Sequence, residues 1–555
     1  MATTSFTART WATIIDRWTA FSYKVRWANP LIQMKPMALP GWVNGTHQRR
    51  LAAYSMLEAY YRNASRMWLD AELDEDKRRG RREYGDAHVV VDQTMSSLIG
   101  DSLSFRVQGA MGGEDPTAVA VQEAITAWWE AELMEQKIVE AERNAVKLGD
   151  GVLTITWDPK RKRPIVNIYN PGFYFPVLDP SAKAGDSWPR KVHMAWEFEE
   201  EEVDGSCTLY VRRVTWELRD YPPGQERRVV YQEDPITETC VYYDGIWPLD
   251  GIGRDVNLFD DSKARWVQEP IDLEIDFIPV IHIPNTVSIE EHYGESVLAS
   301  SMQILDDIVA TDTDLQAAAG TTGAPPIAIS GATIPTTQTT YGPGTLLNVG
   351  DGTATIIDTS RSLDALLKLK DALLERLSVN ARIPESLLGR VKPNEVPSGI
   401  ALTLSFAPHA ALIYEMRLVR KQKYGIMFKF VQRFMMMYGD LPEVAKVDIV
   451  FGSFLPADKQ EVMTIVAQLL PINAMSLETA VAMMQEAGYP VDDIVDEIAR
   501  IHANDLGRAQ QMVSLTGDVN LGRQAIGLPP DPTFSNVNLN DPNATVADPN
   551  APGIW

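Results

Sequence analysis

Cysteine is almost missing from this sequence: 555 residues contain two, Cys207 and Cys240. Two thiols cannot build a four-ligand structural zinc site alone. Both lie in strand-like segments, and in a reducing compartment they are expected to be free, buried and inert. Histidine is scarce too, at seven residues, with no zinc-ligand spacing between them. His282 and His292 stand ten apart and read as ordinary core or surface side chains. No Gly-Lys dipeptide occurs, so no Walker A loop exists. Gly-x-Ser-x-Gly and His-Glu-x-x-His are also absent, and no cofactor or metal is expected. No apolar run reaches about 18 residues, so no membrane span and no membrane partner are expected. The opening "MATTSFTARTWATIIDRW" lacks the apolar core of a signal peptide, which points to synthesis in the cytoplasm.

Positive charge is the next shortage. Lys and Arg number 51 against 75 Asp and Glu, a net charge of −24. That balance disfavours clamping duplex DNA through many phosphate contacts. It is compatible with a surface past which DNA slides, because an acidic wall repels phosphate. With 45% hydrophobic and 23% charged residues, the composition is that of a globular protein, long enough for several domains.

What is present is organised in blocks. A first helix is expected near Thr10 to Tyr23, then a Pro-punctuated linker, then a helix with Leu51, Tyr54, Leu57 and Tyr61 at helical spacing. "DEDKRRGRRE" reads as a solvated loop. "YGDAHVVVDQTMSSLIGD" predicts a helix leading into the strand "LSFRV". Residues 115–151 read as one long helix, capped by Asp115, opened by Pro116 and stopped at the Gly149–Gly151 turn. From Val152 to about Asn285 the pattern is β-rich, "RRVVYQE" included. Helix returns over 293–320. Residues 320–360 hold eleven threonines and only two charges, with "PPIAIS", "TLLNVG" and "ATIIDT" as short strands. A leucine-striped helix follows at 361–381, with Leu363, Leu366, Leu367, Leu373, Leu374 and Leu377 on one face. After a Pro- and Gly-rich loop, Ser398 is a candidate cap for a helix from Gly399 to Tyr438, with a kink expected at Pro408. "KVDIVFGSFLP" is a late strand. Residues 457–511 are helical, with Ser476 and Asp492 as caps, and the Asn-, Asp- and Pro-rich end reads as an extended tail.

Segment 382–440 concentrates the scarce charge: nine Lys and Arg against four Asp and Glu, net +5, leaving −29 for the rest. "RLVRKQK" within it reads equally as the wet face of an amphipathic helix. Acidic clusters occur at Glu199–Glu202 with Asp204, and at Asp306, Asp307, Asp312 and Asp314. The first reads as the solvated tip of a hairpin, the second as a solvated helix face or a charged pore lining.

The order "IPVIHIPN", "YGESVLASSMQILDDIVATDTDL", a small β-rich insert, "LDALLKLKDALLERLSVNARIPESLLG", "PSGIAL" and a long helix resembles the Gp6-like portal proteins of tailed bacteriophages. The N-terminal "RRLAAYSMLEAYYRN" and the later "LPADKQEVMTIVAQLL" resemble them too, and the likeness spans about residues 47–515. It implies an α+β portal fold and a homo-oligomeric ring, usually dodecameric. The implied parts are a wing at 1–292, stem helices at 293–319 and 361–381, a clip at 320–360 and a tunnel loop at 382–398. A long wing helix with its following strand at 399–456, a crown region at 457–515 and a tail at 516–555 complete them. It implies location at one capsid vertex of the virion, where DNA enters and leaves without sequence-specific contacts. Implied partners are the large terminase subunit, the major capsid protein and scaffold, and a head-completion or adaptor protein. Arg390, Lys392, Asn394 and Glu395 would face DNA in the tunnel loop, and Asp306, Asp307, Asp312, Asp314, Lys368 and Lys370 would face the channel in the stem. Leu298, Ile304, Ile308, Leu366, Leu373 and Leu377 would pack the stem. The resemblance implies a non-enzymatic role. Alternatives are another structural ring or adaptor of the virion, and a carboxylate-based hydrolase using the acidic cluster near 199–204.

Overall fold

The computed structural model describes residues 41–65, 82–109, 115–178, 189–201, 205–286, 292–323, 327–330, 353–356, 360–389, 399–439, 441–454, 459–487, 489–491 and 494–525. The expected first helix, the loop "DEDKRRGRRE" as far as Arg81, the strand "TLLNVG" and the caps Ser398 and Asp492 lie outside the described residues. The chain divides into two compact units, Met1–Phe454 and Leu455–Trp555.

In the first unit, Asn44 caps α1 (Gly45–Tyr61) by accepting from the His47 amide. Helix α2 (Asp86–Ile99) leads into strand β1 (Leu103–Val107). Strand β1 pairs antiparallel with β12 (Val447–Phe451), so the last strand of the unit is stitched to its first. Asp115 and Pro116 open α3 (Pro116–Ala131) as the sequence predicts. The expected single helix, however, is two. Leu133 takes a left-handed conformation (φ 53°), and α4 (Met134–Leu148) starts anew. The break centres on Glu132, which is buried and held by Lys137 at 2.6 Å and Arg163 at 2.8 Å. Both helices then feed one core, α3 through Trp128 and Trp129 and α4 through Met134 and Ile138.

Helix α4 stops at Gly149, where φ is +100°. A Cβ there would come within 2.5 Å of the Gly294 carbonyl oxygen, so this close approach of two chain segments requires glycine. Strand β2 (Asp150–Asp158) follows, buried along its whole length between β3 (Arg163–Tyr169) and β9 (Val280–Pro284). A second, five-stranded antiparallel sheet runs in the order β4 (Tyr174–Val177), β5 (Lys191–Glu201), β6 (Cys207–Asp220), β7 (Glu238–Pro248) and β8 (Arg265–Asp272). The period of two is plain in it. Val192, Met194, Trp196, Val214, Trp216 and Tyr242 face the main core, while Ala195, Val211 and Trp247 face a smaller one with Trp42, Phe175 and Phe259. "RRVVYQE" is not a strand; only Arg227 makes an isolated bridge, to Ile236. Cys240 is buried as expected, but Cys207 is the first residue of β6 and is exposed, so it is not a core thiol.

The next helix begins later than expected. Backbone and side chains of 294–298 are engaged elsewhere: the Gly294 amide donates to Asp150, and Ser296 Oγ donates to the Lys147 carbonyl. Helix α5 therefore runs Met302–Gly323, after a 3₁₀ turn at Ala299–Ser301. Short strands β10 (Ile327–Ser330) and β11 (Thr353–Ile356) pair antiparallel. Helix α6 (Ser360–Ala381) lies against α5, and α7 (Gly399–Tyr438) follows with Pro408 inside it. At about 1.5 Å per residue, α7 is on the order of 60 Å long. Ile413 and Met416 belong to the core shared by α1, α2, α5 and α6, whereas Tyr424, Phe428 and Phe434 enter the main core.

The second unit is helical: α8 (Lys459–Leu469), α9 (Leu477–Glu486), α10 (Ile494–Thr516) and α11 (Val519–Ala525). Ser476 caps α9, accepting from the Thr479 amide. Helix α11 falls where the sequence suggested an extended tail, and the rest of that segment, from residue 526, lies outside the described residues. The α+β class holds: helices segregate from antiparallel sheets.

Candidate functional site

The paired helices α5 and α6, with the turn that follows them, hold the residues singled out in the sequence. Their apolar stripes meet inside the subunit. Leu298, Leu305, Ile308, Leu373 and Leu377 are buried in one core with Leu57, Val90 and Met416. Ile304 packs at its margin and Leu366 is half-buried. Leu367 is 44% exposed, so it leaves the expected stripe.

The residues expected to face a channel divide. Asp307 and Asp314 are exposed, with Gln303, Ala310 and Ala317, at steps of four and three along the outer face of α5. Lys368 is exposed on α6. Asp306 is half-buried and accepts from the Tyr60 hydroxyl at 3.4 Å. Asp312 does not line an open face within the subunit: it is 3% exposed and bound by Lys370, itself half-buried with its ammonium 5.6 Å from the Tyr84 ring centre. That carboxylate lies close enough to Asp86 to add to the effect of burial, and together they raise the Asp86 pKa.

Helix α6 ends at Arg382, left-handed at φ 54°. Ser378 Oγ donates to the Ile383 carbonyl at 2.6 Å, and His409 Nδ1 of α7 lies 3.0 Å from the Arg382 carbonyl oxygen. Ile383 is buried, and Leu387 and Leu388 pack on the same core, so "IPESLLG" folds back on the helices. Arg390, Lys392, Asn394 and Glu395 follow and lie outside the described residues.

The basic run of α7 is largely spent inside the molecule. Arg417 donates to the Ser97, Leu98 and Gly452 carbonyls, capping the end of α2. Arg420 is fully buried, donating to Glu142 at 2.9 Å and to both oxygens of Asn285. Tyr424 donates to the other Glu142 oxygen. Arg433 pairs with Asp276 at 2.8 Å. The wet-face reading of "RLVRKQK" therefore fails for its two arginines.

A second buried cluster was not evident in the sequence. Asp150 accepts from Tyr54, from His282 Nε2 at 2.6 Å and from the Gly294 amide at 2.9 Å. The His292 ring lies 4.6 Å from His282, and its Nε2 is 3.1 Å from the Tyr174 hydroxyl. Arg50 donates to the Pro171 and Tyr174 carbonyls and lies 4.7 Å from the Tyr293 ring centre. Burial, helped by His282, Lys423 and Arg50, pushes His292 down to about 3. Burial drives Tyr54 and Tyr174 well upward. The cluster joins α1, β2, β9 and the lead-in to α5. Its members lie far apart in the chain, and no local spacing announces them. The ten-residue separation of His282 and His292 is the one trace of it. Among the described residues, no group of three or more His, Cys, Asp and Glu is placed to hold a metal.

No family model matches the chain, and no curated protein matches it. A solved structure titled "Neck of native GTA particle computed with C12 symmetry" is similar at 12% identity and a TM-score of 0.36, over 73% of this chain and 89% of that one. Similarity at that level carries no argument.

Proposed function

We propose that the chain is a portal-type subunit of a phage virion. Copies close a ring, dodecameric on this reading, at one capsid vertex, and duplex DNA passes through it during packaging and ejection. One observation carries the reading. A helical hairpin, α5 with α6, holds an insert whose ends pair as β10 and β11, and the sequence between α6 and the 40-residue α7 carries Arg390 and Lys392. In the ring, the hairpin is the stem, residues 320–360 the clip that meets terminase and later the head-completion protein, and 382–398 the tunnel loop. Residues 1–292 and α7 form the wing toward the capsid shell and scaffold, and the second unit is the crown region.

The charge layout supports passage without sticking. Asp307 and Asp314 on the outer stripe of α5 repel phosphate. Ring symmetry turns Arg390 and Lys392, beside Asn394 and Glu395, into one sparse cationic collar. Contacts there are independent of base sequence and weaken with salt. The test is Arg390→Glu with Lys392→Glu in a DNA packaging and retention assay. Assembly is expected to persist while packaged DNA falls severalfold; unchanged packaging removes the tunnel-loop assignment.

A further inference from the structure

On its outer side, the second half of α7 and the segment entering β12 border a groove of about 550 Å³. Lys421, Lys429 and Lys446 stand exposed on its rim. Its floor is apolar, built from Gly425, Ile426 and Val447. A Cβ on Gly425 would meet only the Val447 carbonyl oxygen, at 3.9 Å, so the missing side chain keeps the floor open. Asp448 is the one carboxylate in the lining. It accepts from Gln108 at 3.0 Å and lies 4.0 Å from Lys446. The helix is anchored from behind by Tyr424 and Phe428, both fully buried, so the groove does not rest on a loose element.

Three ammonium groups around an apolar floor, in a chain of net charge −24, select a ligand that is both anionic and apolar. A nucleic-acid backbone supplies the charge but no aliphatic group for the floor. An extended peptide supplies both, because alternate side chains point to opposite sides. From Lys421 to Lys429 the helix rises about 12 Å, the length of about four extended residues.

We propose that this groove binds a short acidic segment of a partner protein. Its carboxylates pair with Lys421, Lys429 and Lys446, and an aliphatic side chain rests on Gly425, Ile426 and Val447. None of its lining residues falls in α5, α6 or residues 382–398, and the proposal stands whether or not the ring reading does.

The probe is a capped, fluorescein-labelled peptide of alternating Glu and Leu, titrated onto the full-length protein and followed by anisotropy. Saturable binding is expected, weakening as salt rises. Lys421→Glu with Lys429→Glu should weaken it on the order of tenfold or more. Gly425→Leu should weaken it comparably by filling the floor while leaving the charge alone. Circular dichroism melts matching the wild type verify that the variants fold. Equal binding of an alternating Ser–Leu peptide, or unchanged affinity in either variant, overturns the proposal. So does a short DNA duplex that binds through the lysines when the peptide does not, which would make the groove a phosphate patch.

Discussion

Arg420 and Glu142 are fully buried, and each is the other's countercharge. Glu142→Leu leaves the guanidinium buried and half-satisfied, and a loss of about 3–5 kcal/mol in a urea or guanidinium unfolding titration is expected. Glu142→Leu combined with Arg420→Met should recover much of that, because the burial of an uncompensated charge is what costs most. His292 sets a pH dependence. Its folded-state pKa of about 3 lies below the ordinary 6.5, so the folded state favours the neutral ring. Its contribution is complete above about pH 6.5 and falls as pH drops toward 3, with a slope of at most about 1.4 kcal/mol per pH unit. Thermal melts at neutral and acid pH test this. His292→Gln, which keeps a partner for Tyr174, should lose less stability on acidification than the wild type. Neither residue's role was legible. "RLVRKQK" spells a solvated face by composition, and only the distant Glu142 and Asn285 reveal that Arg420 turns inward.

At the scale of elements, the leucine stripe of α6 was legible and its partner was not. Spacing shows that one face is apolar; it does not show whether that face meets the same chain or another. Leu373 and Leu377 pack on α5 and its neighbours within the subunit. Leu373→Ala should therefore destabilise the single subunit by about 2–5 kcal/mol, read by denaturant unfolding. Leu366→Ala, at a half-buried site, should cost clearly less. Equal effects would show that the observed packing does not set the cost. Two helix starts were read well, because Asp115 and Ser476 announce them through side chains that accept backbone amides, whereas the Asn44 cap of α1 was not read. The break at Leu133 was missed because helix formers surround it and its cause, Arg163 gripping Glu132, lies on β3. "RRVVYQE" failed as a strand for the complementary reason: β-propensity without a neighbouring strand to pair with forms no ladder.

For the whole molecule, the alternation of helical and β-rich blocks was readable from periodicity, and the α+β class with it. The stitching of β1 to β12 and the buried Asp150 cluster were not, because contacts between distant segments leave no local pattern. The candidate site was legible in part. Its exposed carboxylates Asp307 and Asp314 stand where helical spacing puts them, whereas Asp312 is claimed by Lys370. On the proposed reading, function at this scale depends on many copies, and one subunit of 61.8 kDa would present only its share of a channel. Negative-stain electron microscopy of the purified protein, with native mass measured in parallel, tests the ring directly. Annular particles with an axial hole and a mass that is a high multiple of 61.8 kDa are predicted. A protein that stays monomeric, even when mixed with a scaffolding protein encoded beside it, would contradict the portal reading.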